Sequence, residues 1–187
     1  MSVEFEKELR PLFGELERHC RGLCLGDPRM DPQDVLQISL EKAFRKIGQL
    51  NDKGAFKAWM YSVVTKTYLS EKRRSFFRYT IRFSDDSVNG QMRNASSTSA
   101  PPDVALDLAK ALKSLSARER SALTLFHISG FSVKEISELQ KDRSLSATKS
   151  RLARARAKVR SHISETGYRQ AESDSPKINA EEENEPV

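Results

Sequence analysis

Apolar residues recur at three- and four-residue steps along most of the chain, a spacing that predicts α-helices. The clearest apolar stripe lies in the last third of the chain, at Leu145, Thr148, Leu152, Ala155 and Val159. A shorter stripe precedes it, at Val133, Ile136 and Leu139. Ser132 and Glu135 stand at the spacing of a capping box, so a helix is expected to begin there. We expect the longer stripe to face the shorter helix.

The second of these helices is strongly basic away from its apolar stripe. Its cations are Lys149, Arg151, Arg154, Arg156, Lys158 and Arg160. A short helix followed by a basic one is typical of a helix-turn-helix whose second helix enters the major groove of DNA. The alternative is an ordinary helical hairpin with a solvated face of lysine and arginine.

The front half of the chain predicts three further helices. A first amphipathic segment spans residues 2–25, has Pro11 inside it as a point of kinking, and is ended by Gly26-Asp27-Pro28. Asp31, followed directly by proline, is a strong start for the next helix. The third helix begins near Phe56, is rich in aromatic residues that we expect in the core, and ends in three cations. These cations are Lys72, Arg73 and Arg74.

The segment between residues 78 and 102 lacks an apolar period and is rich in serine, asparagine and proline, which indicates a linker. The fold class is therefore expected to be all-α. We expect two small helical domains at 1–79 and 103–168, a flexible linker at 80–102, and a disordered acidic tail at 169–187.

Charge separates the tail from the rest of the chain. The chain has 187 residues and a formal net charge of +6. Residues 171–187 hold six acidic side chains and one lysine, so their net charge of −5 leaves +11 on the remainder. A basic body predicts a polyanionic partner, with nucleic acid first. No long apolar run or signal-peptide core is found, so we expect a cytoplasmic protein.

The sequence offers little material for catalysis or metal binding. Cys20 and Cys24 follow His19 in one predicted helix, and a zinc pair is conceivable there. Two buried thiols in a reducing compartment are the favoured interpretation, because further ligands are distant in sequence. There is no phosphate loop, dinucleotide fingerprint or nucleophile motif. We therefore expect no enzyme activity, no catalytic residue, no metal and no cofactor.

Two segments of the back half resemble the last DNA-binding domain of bacterial sigma factors, most strongly of the extracytoplasmic-function class. They are Gly130-Phe131-Ser132-Val133-Lys134-Glu135-Ile136-Ser137 and Thr148-Lys149-Ser150-Arg151-Leu152-Ala153-Arg154-Ala155-Arg156. In the front half, the helix from Asp34 and the aromatic helix from Phe56 resemble the polymerase-docking and −10-binding helices of that family. The chain departs from the family at Ser116-Ala117, which replaces a proline turn. The turn from Gln140 to Ser144 is also about one residue longer than usual and lacks glycine.

The resemblance implies an alternative sigma factor that binds the clamp helices of the largest subunit of core RNA polymerase and recognises promoter DNA. An anti-sigma factor is a further candidate partner. The expected −35 contacts are Lys149, Ser150, Arg151, Ala153, Arg154 and Arg156. The expected −10 contacts are Lys53, Phe56, Lys66, Lys72, Arg73 and Arg74. The expected polymerase contacts are Asp34, Gln37 and Glu41. The alternative is a stand-alone helix-turn-helix regulator, which has no reason to carry such a front half.

Overall fold

The computed structural model describes residues 3–50, 52–83 and 102–165, and every regular element within them is helical. This agrees with the all-α prediction. The main helices are α1 (Val3–Leu9), α2 (Phe13–Cys24), α3 (Pro32–Lys46), α4 (Phe56–Phe83), α5 (Pro102–Lys113), α6 (Ala117–His127), α7 (Val133–Gln140) and α8 (Leu145–Glu165). Short 3-10 turns occupy Arg10–Leu12, Ile47–Gln49 and Lys53–Ala55. The predicted acidic tail at 169–187 lies outside the described residues.

Local signals set the helix boundaries of the front half. Pro11 interrupts the first segment with a 3-10 turn, because it lacks the backbone N–H that a continuous helix needs. Gly26, at φ +76°, follows the end of α2 and adopts the left-handed conformation that suits glycine. Asp31 caps α3 by accepting a hydrogen bond of 2.8 Å from the backbone N–H of Gln33.

Helix α4 is longer than the sequence predicted. It continues to Phe83 and so takes in the start of the segment assigned to the linker at 80–102. No glycine or proline lies between Phe56 and Phe83, so nothing in the local sequence ends the helix earlier. The rest of the predicted linker, from 84 to 101, lies outside the described residues.

Two capping boxes set the helix starts in the back half, and that of Ser132 is the one predicted above. Ser116 with Glu119 begins α6, and Ser132 with Glu135 begins α7. The turn after α7 has no glycine at the position that needs a left-handed backbone. Lys141 occupies that position, at φ +51°. A lysine in this left-handed region is strained, so the turn needs support from its neighbours.

The predicted apolar stripe of α8 is correct except at its first position. Thr148, Leu152 and Ala155 are fully or almost fully buried. Leu145, which was expected to face α7, is instead 43% exposed. It stands at the first position of α8, after the turn has carried the chain away from α7, so no part of the neighbouring helix covers it fully.

The two halves of the chain share one continuous apolar core. Leu16, Tyr61 and Val64 of the front half belong to the same cluster as Leu125 and Ile136 of the back half. The sequence predicted two small helical domains, but it contained no sign that they would pack on each other. Periodicity identifies the buried face of a helix and does not identify the helix that covers it.

Candidate nucleic-acid interface

The outer face of α8 carries the central residues of the predicted −35 set. Lys149, Ser150, Ala153 and Arg154 are all exposed. They lie opposite the buried residues Thr148, Leu152 and Ala155, because consecutive residues of a helix are about 100° apart. This face presents two cations, one hydroxyl and one methyl group, a set of groups that suits the edges of bases in the major groove.

Arg151 and Arg156 have partners within the protein. The guanidinium of Arg151 bonds to the Asp142 carboxylate and donates to Gln140 Oε1 at 2.7 Å, and its side chain is 13% exposed. It therefore supports the turn that holds Lys141. Arg156 lies 4.6 Å above the centre of the Phe126 ring. A phosphate that binds either arginine has to compete with these contacts, and their DNA roles stay predictions.

Asp142 completes the support of the turn. Its carboxylate accepts a hydrogen bond of 2.6 Å from the hydroxyl of Thr148 and also pairs with Arg151. Burial alone would raise the pKa of Asp142, but the hydrogen bonds from Arg151 and Thr148 outweigh it and lower the pKa. The carboxylate thus stays charged and ties the turn to the first half of α8.

Glu119 is a neighbour of this face that the sequence did not assign to it. Its carboxylate accepts a hydrogen bond of 2.8 Å from Lys158 Nζ and lies 3.9 Å from Nε of Arg154. Burial would raise the pKa of Glu119, but the hydrogen bonds with Lys158 and Ser116 lower it overall. Its place in the capping box with Ser116 was a sequence signal for structure, and nothing in the pattern linked it to Arg154.

The outer face of α4 carries three of the predicted −10 cations. Lys66, Arg73 and Arg74 are exposed, and Arg74 donates to Glu71 at 2.8 Å. The pKa of Lys66 is lowered, first by partial burial and then by the charges of Lys141 and Lys46. Because Lys141 belongs to the turn after α7, the −10 face of α4 lies close to the back half of the chain.

Lys72 is less available than the other cations of α4. Its side chain is 29% exposed, and Nζ pairs with the carboxylate of Asp27. Burial would raise the pKa of Asp27, but the hydrogen bond and charge of Lys72 lower it. The pair ties α4 to the turn between α2 and α3, a structural task that the sequence did not reveal.

One residue of the predicted −10 set lies in the core of the protein. Phe56 was placed on the DNA surface, but it is 4% exposed, and its ring contacts those of Phe5 and Trp59. The reason is that it begins α4 on the helix face that packs on α1, so it belongs to the core of this conformation. The side chain of Lys53 lies outside the described residues.

The predicted polymerase contacts share one exposed face of α3. Asp34, Gln37 and Glu41 are all exposed, and Gln37 donates a hydrogen bond of 3.2 Å to Glu41. Asp34 and Gln37 also line a pocket of about 320 Å³ between α3 and α4. The remaining walls of this pocket include Met30, Ile38, Glu71 and Arg78.

The contact between the two halves contains a buried histidine. His19 is fully buried, its Nδ1 lies 2.8 Å from the hydroxyl of Ser129, and its ring meets the Tyr61 ring edge-on. Among the residues that the structure describes, its Nε2 has no hydrogen-bond partner. Burial lowers the pKa of His19 to about 3, so the ring is neutral at physiological pH. Tyr61 also meets Phe131 of the back half, at a centroid distance of 4.8 Å.

Arg120 is the main polar anchor of the same contact. It is 2% exposed, and its guanidinium donates to the carbonyl oxygens of Leu23 and Leu25 at 3.1 and 2.9 Å. The same group donates to the carbonyl oxygen of Leu112. One arginine of α6 therefore satisfies the end of α2 and the end of α5 together.

The two cysteines lie beside this contact as buried free thiols. Burial raises the pKa of Cys20 to about 12 and that of Cys24 further. Their thiols are therefore protonated and unreactive at neutral pH, in agreement with the favoured interpretation. Within the described parts of the chain, no three His, Cys, Asp or Glu side chains are grouped to hold a metal ion.

Comparison with known families gives two matches, one in the front half of the chain and one in the back half. Sigma-70 region 2 matches residues 5–75, and sigma-70 region 4 matches residues 105–159. The chain therefore belongs to the sigma-70 family. It is a sigma factor, which binds core RNA polymerase and promoter DNA to initiate transcription. The stand-alone regulator considered above does not account for the region 2 match.

Two solved structures are similar in fold. The sigma factor RpoE from Bartonella quintana, in complex with the anti-sigma factor NepR, has 24% sequence identity and a TM-score of 0.69. The match covers 86% of this chain and 97% of that one. CnrH, in complex with the cytosolic domain of CnrY, has 20% identity and a TM-score of 0.58, with 91% and 89% coverage. In the residues that the structure describes, no helix is long and apolar enough to cross a membrane.

Proposed function

We propose that this chain is a sigma factor of the extracytoplasmic-function class that reads the −10 element with the outer face of α4 and the −35 element with the outer face of α8. The single observation that carries this assignment is the placement of exposed cations. Lys66, Arg73 and Arg74 on α4, and Lys149 and Arg154 on α8, all lie opposite the buried faces of their helices. It acts in the cytoplasm, where its partner polymerase is.

The docking surface for polymerase is the exposed face of α3. Asp34 and Glu41 give it negative charge, and the pocket beside Asp34 and Gln37 gives it depth. A charged rim around partly apolar walls suits a protein helix better than DNA, because the two carboxylates repel phosphate. Arg78, which is exposed and also lines that pocket, can pair with an acidic side chain of the partner.

The two regions pack on each other through the shared apolar core, an arrangement that we call the closed state. This state has a consequence for the proposed function. Promoter elements centred near −10 and −35 are about 25 base pairs apart, which is roughly 80 Å along B-form DNA. In the closed chain, the charge of Lys141, in the turn before α8, contributes to the lowered pKa of Lys66 on α4. The two regions therefore have to separate before they occupy both elements of one promoter.

An anti-sigma factor is the partner expected to oppose this separation. The Bartonella structure is that of a sigma factor bound to its anti-sigma factor, and its fold matches across both regions of this chain. The contact between the regions forms here from the chain's own residues. We infer that such a partner stabilises a closed state that the chain already favours, rather than creating it.

The test is promoter binding by the chain assembled with core RNA polymerase. Neutralising two cations with Arg73→Gln and Arg74→Gln should weaken binding to every promoter and reduce the slope of log affinity against log salt by about 1.4–1.8. Lys72 is left intact, because its pairing with Asp27 makes its removal a stability test instead.

Lys7→Gln with Arg10→Gln is the matched control, since both side chains are exposed and lie at the other end of region 2. This double variant should leave the salt slope unchanged. If the chain fails to bind core polymerase yet binds duplex DNA tightly alone, the proposed function is wrong. If the control lowers the slope as much as the α4 variant does, the placement of the −10 surface is wrong.

A further inference from the structure

The first two turns of α8, the part of a recognition helix that reads bases, have almost no apolar anchor. From Leu145 to Arg151 only Thr148 is buried, and Leu145 itself is 43% exposed. The first large apolar side chain of α8 that is buried is Leu152, two turns from the start of the helix. Burial of a large apolar stripe is what normally fixes the rotation of a helix against its neighbours. Another kind of contact therefore has to fix these turns.

A buried polar cluster, which we call the latch, takes that place. The latch consists of Asp142, Thr148 and Arg151. The side chain of Asp142 is 1% exposed, accepts a hydrogen bond of 2.6 Å from the hydroxyl of Thr148, and pairs with the guanidinium of Arg151. Arg151 also donates to Gln140 Oε1 at 2.7 Å, and the backbone N–H of Asp142 donates to the carbonyl oxygen of Ser137 at 2.9 Å. The latch thus joins the first half of α8 to the turn and to the end of α7.

Arg151 cannot hold the latch and a DNA phosphate at the same time. Its side chain is 13% exposed, and its guanidinium is bonded to Asp142 and Gln140. If it turned to a phosphate, the buried carboxylate of Asp142 would keep only the Thr148 hydroxyl and the guanidinium of Arg118, which lies 3.7 Å away. A buried charge that loses its main partner is strongly unfavourable. Arg151 is therefore better suited to hold the helix than to hold DNA.

The reading of bases is sensitive to the rotation of α8. Side-chain tips lie about 6 Å from the axis of a helix, so a rotation of about 10° moves them by about 1 Å. Hydrogen bonds tolerate less, because their donor–acceptor distances lie between about 2.7 and 3.2 Å. Lys149 precedes Arg151 by two residues and Arg154 follows it by three, so both cations move with the latch.

We propose that the latch sets the base preference at the −35 element by fixing the rotation of α8, and that Arg151 is a positioning residue rather than a DNA contact. This inference rests on the proposed function, because it concerns the same −35 surface. It gives Arg151 a different task from the −35 contact that the resemblance implied. Lys149 and Arg154 read the bases, and the latch decides which base edges they reach.

The experiment measures binding of the full chain, assembled with core polymerase, to a promoter and to a panel of its −35 base substitutions. Asp142→Asn combined with Arg151→Met breaks the latch without leaving a buried charge unpaired. The preference for the original base should fall about 5- to 150-fold at one or two positions, the range for one good base contact. The slope of log affinity against log salt should not change, because no phosphate contact is lost.

Two single variants test the latch part by part. Thr148→Val removes only the hydroxyl that bonds to Asp142, and it should lower the base preference in the same direction by a smaller factor. Should the double variant fail to fold, Thr148→Val decides the same question, because it changes neither charge nor side-chain shape. Arg151→Lys keeps a cation beside Asp142 and should retain most of the wild-type preference.

Val159→Ala is the control for lost stability. Val159 packs against the apolar cluster of Leu112 and Leu115, near the other end of α8. Its truncation should lower the melting temperature and leave the base preference as in wild type. Arg160→Met removes an exposed arginine of the same helix that lies outside the predicted −35 set. It is the control for lost charge and should change neither the preference nor the salt slope.

Three outcomes would overturn the inference. The double variant could keep the wild-type base preference. It could lower the salt slope by about 0.9, which would make Arg151 a phosphate contact. Val159→Ala could also reduce the preference as much as the double variant at an equal loss of melting temperature, which would make the latch a contribution to stability alone. A wild-type assembly that binds promoters without any preference at −35 would instead contradict the proposed function.

Discussion

The two helices proposed to hold promoter DNA differ in how much of the chain covers them. Helix α8 packs mainly on α5, α6 and α7, all of its own region, and its outer face is open. Helix α4 packs on α2 and α3 of region 2 and also on α6 and α7 of region 4. The proposed −35 surface is therefore accessible in the closed chain, whereas the proposed −10 surface has the other region beside it.

This difference indicates which step the closed state restrains. In the closed state the outer face of α8 is accessible, so the proposed contact with the −35 element needs no rearrangement. The two regions have to separate before α4 can bind the whole of an opened −10 element. The restraint also protects an apolar surface, because Tyr61 and Phe131 cover each other in the closed chain. Separation exposes both rings to water, which costs free energy unless polymerase or DNA covers them.

The largest expected effect comes from removing the anchor of the contact. Arg120→Met leaves the carbonyl oxygens of Leu23, Leu25 and Leu112 without their buried donor. We expect it to lower the free energy of unfolding by about 3–5 kcal/mol, because buried polar groups without partners are costly. Urea unfolding followed by circular dichroism measures this change.

Arg118→Met is the control for the Arg120 variant. It removes an arginine from the same helix whose side chain is 57% exposed and pairs loosely with Asp142 at 3.7 Å. Exposed pairs contribute less than about 1 kcal/mol, so this variant should unfold close to the wild type. Equal losses in the two variants would mean that Arg120 does not anchor the contact.

The next effect concerns the open face of α8. Arg154→Ala should cost about 1–3 kcal/mol of promoter binding and relax the preference at one or two base pairs of the −35 element. Arg156→Ala should weaken all sequences alike, because its side chain lies over Phe126 at the edge of the DNA face. Binding to a panel of −35 base substitutions measures both variants.

The reverse pattern would show that we have assigned the wrong face of α8 to the DNA. A uniform loss with Arg154→Ala and a changed preference with Arg156→Ala would give that result. Glu119→Gln supplies a further check, since its carboxylate lies 3.9 Å from Arg154 and is expected to position it. That variant should change base preference less than Arg154→Ala, because the guanidinium itself remains.

Features with local causes were predictable from the sequence. The capping boxes at Ser116 and Ser132 need only residues three apart, and the break at Pro11 needs only its missing N–H. The exposed residues on the outer face of α8 followed from one apolar stripe and its opposite face. Leu145 departed from that stripe because a helix end can extend beyond its neighbour, a fact that periodicity does not contain.

Features with causes distant in sequence were not predictable. Arg120 is buried because the carbonyl oxygens of residues 95 and 97 positions earlier, at the end of α2, accept hydrogen bonds from it, and no local pattern indicates this. Lys72 belonged to a run of three cations, and only the position of Asp27 separates it from its neighbours. Phe56 matched a DNA-binding motif but lies in the core, because α1 folds over it.

The smallest effect tests whether protons influence the closed state through His19. The ring has its pKa lowered to about 3 in the closed chain, from an ordinary value of 6.5. Because the closed state excludes the charged ring, closure is strongest above pH 6.5 and weakens as the pH falls below it. Between pH 7.5 and 5.5 the closed-to-open ratio should fall about tenfold, or about 1.4 kcal/mol. The radius of gyration from small-angle scattering measures the change.

Two variants isolate the effect of His19 from that of the other two histidines, His127 and His162. His19→Gln cannot take up a proton there, so its closed-to-open ratio should vary little over the same pH interval. Gly22→Gln places a side chain against Ile128 and Thr124 of region 4, and should hold the regions apart at both pH values. If His19→Gln shows the same tenfold change as wild type, the proton acts elsewhere. The closed state would then be stabilised by Arg120 and apolar packing, without a contribution from His19.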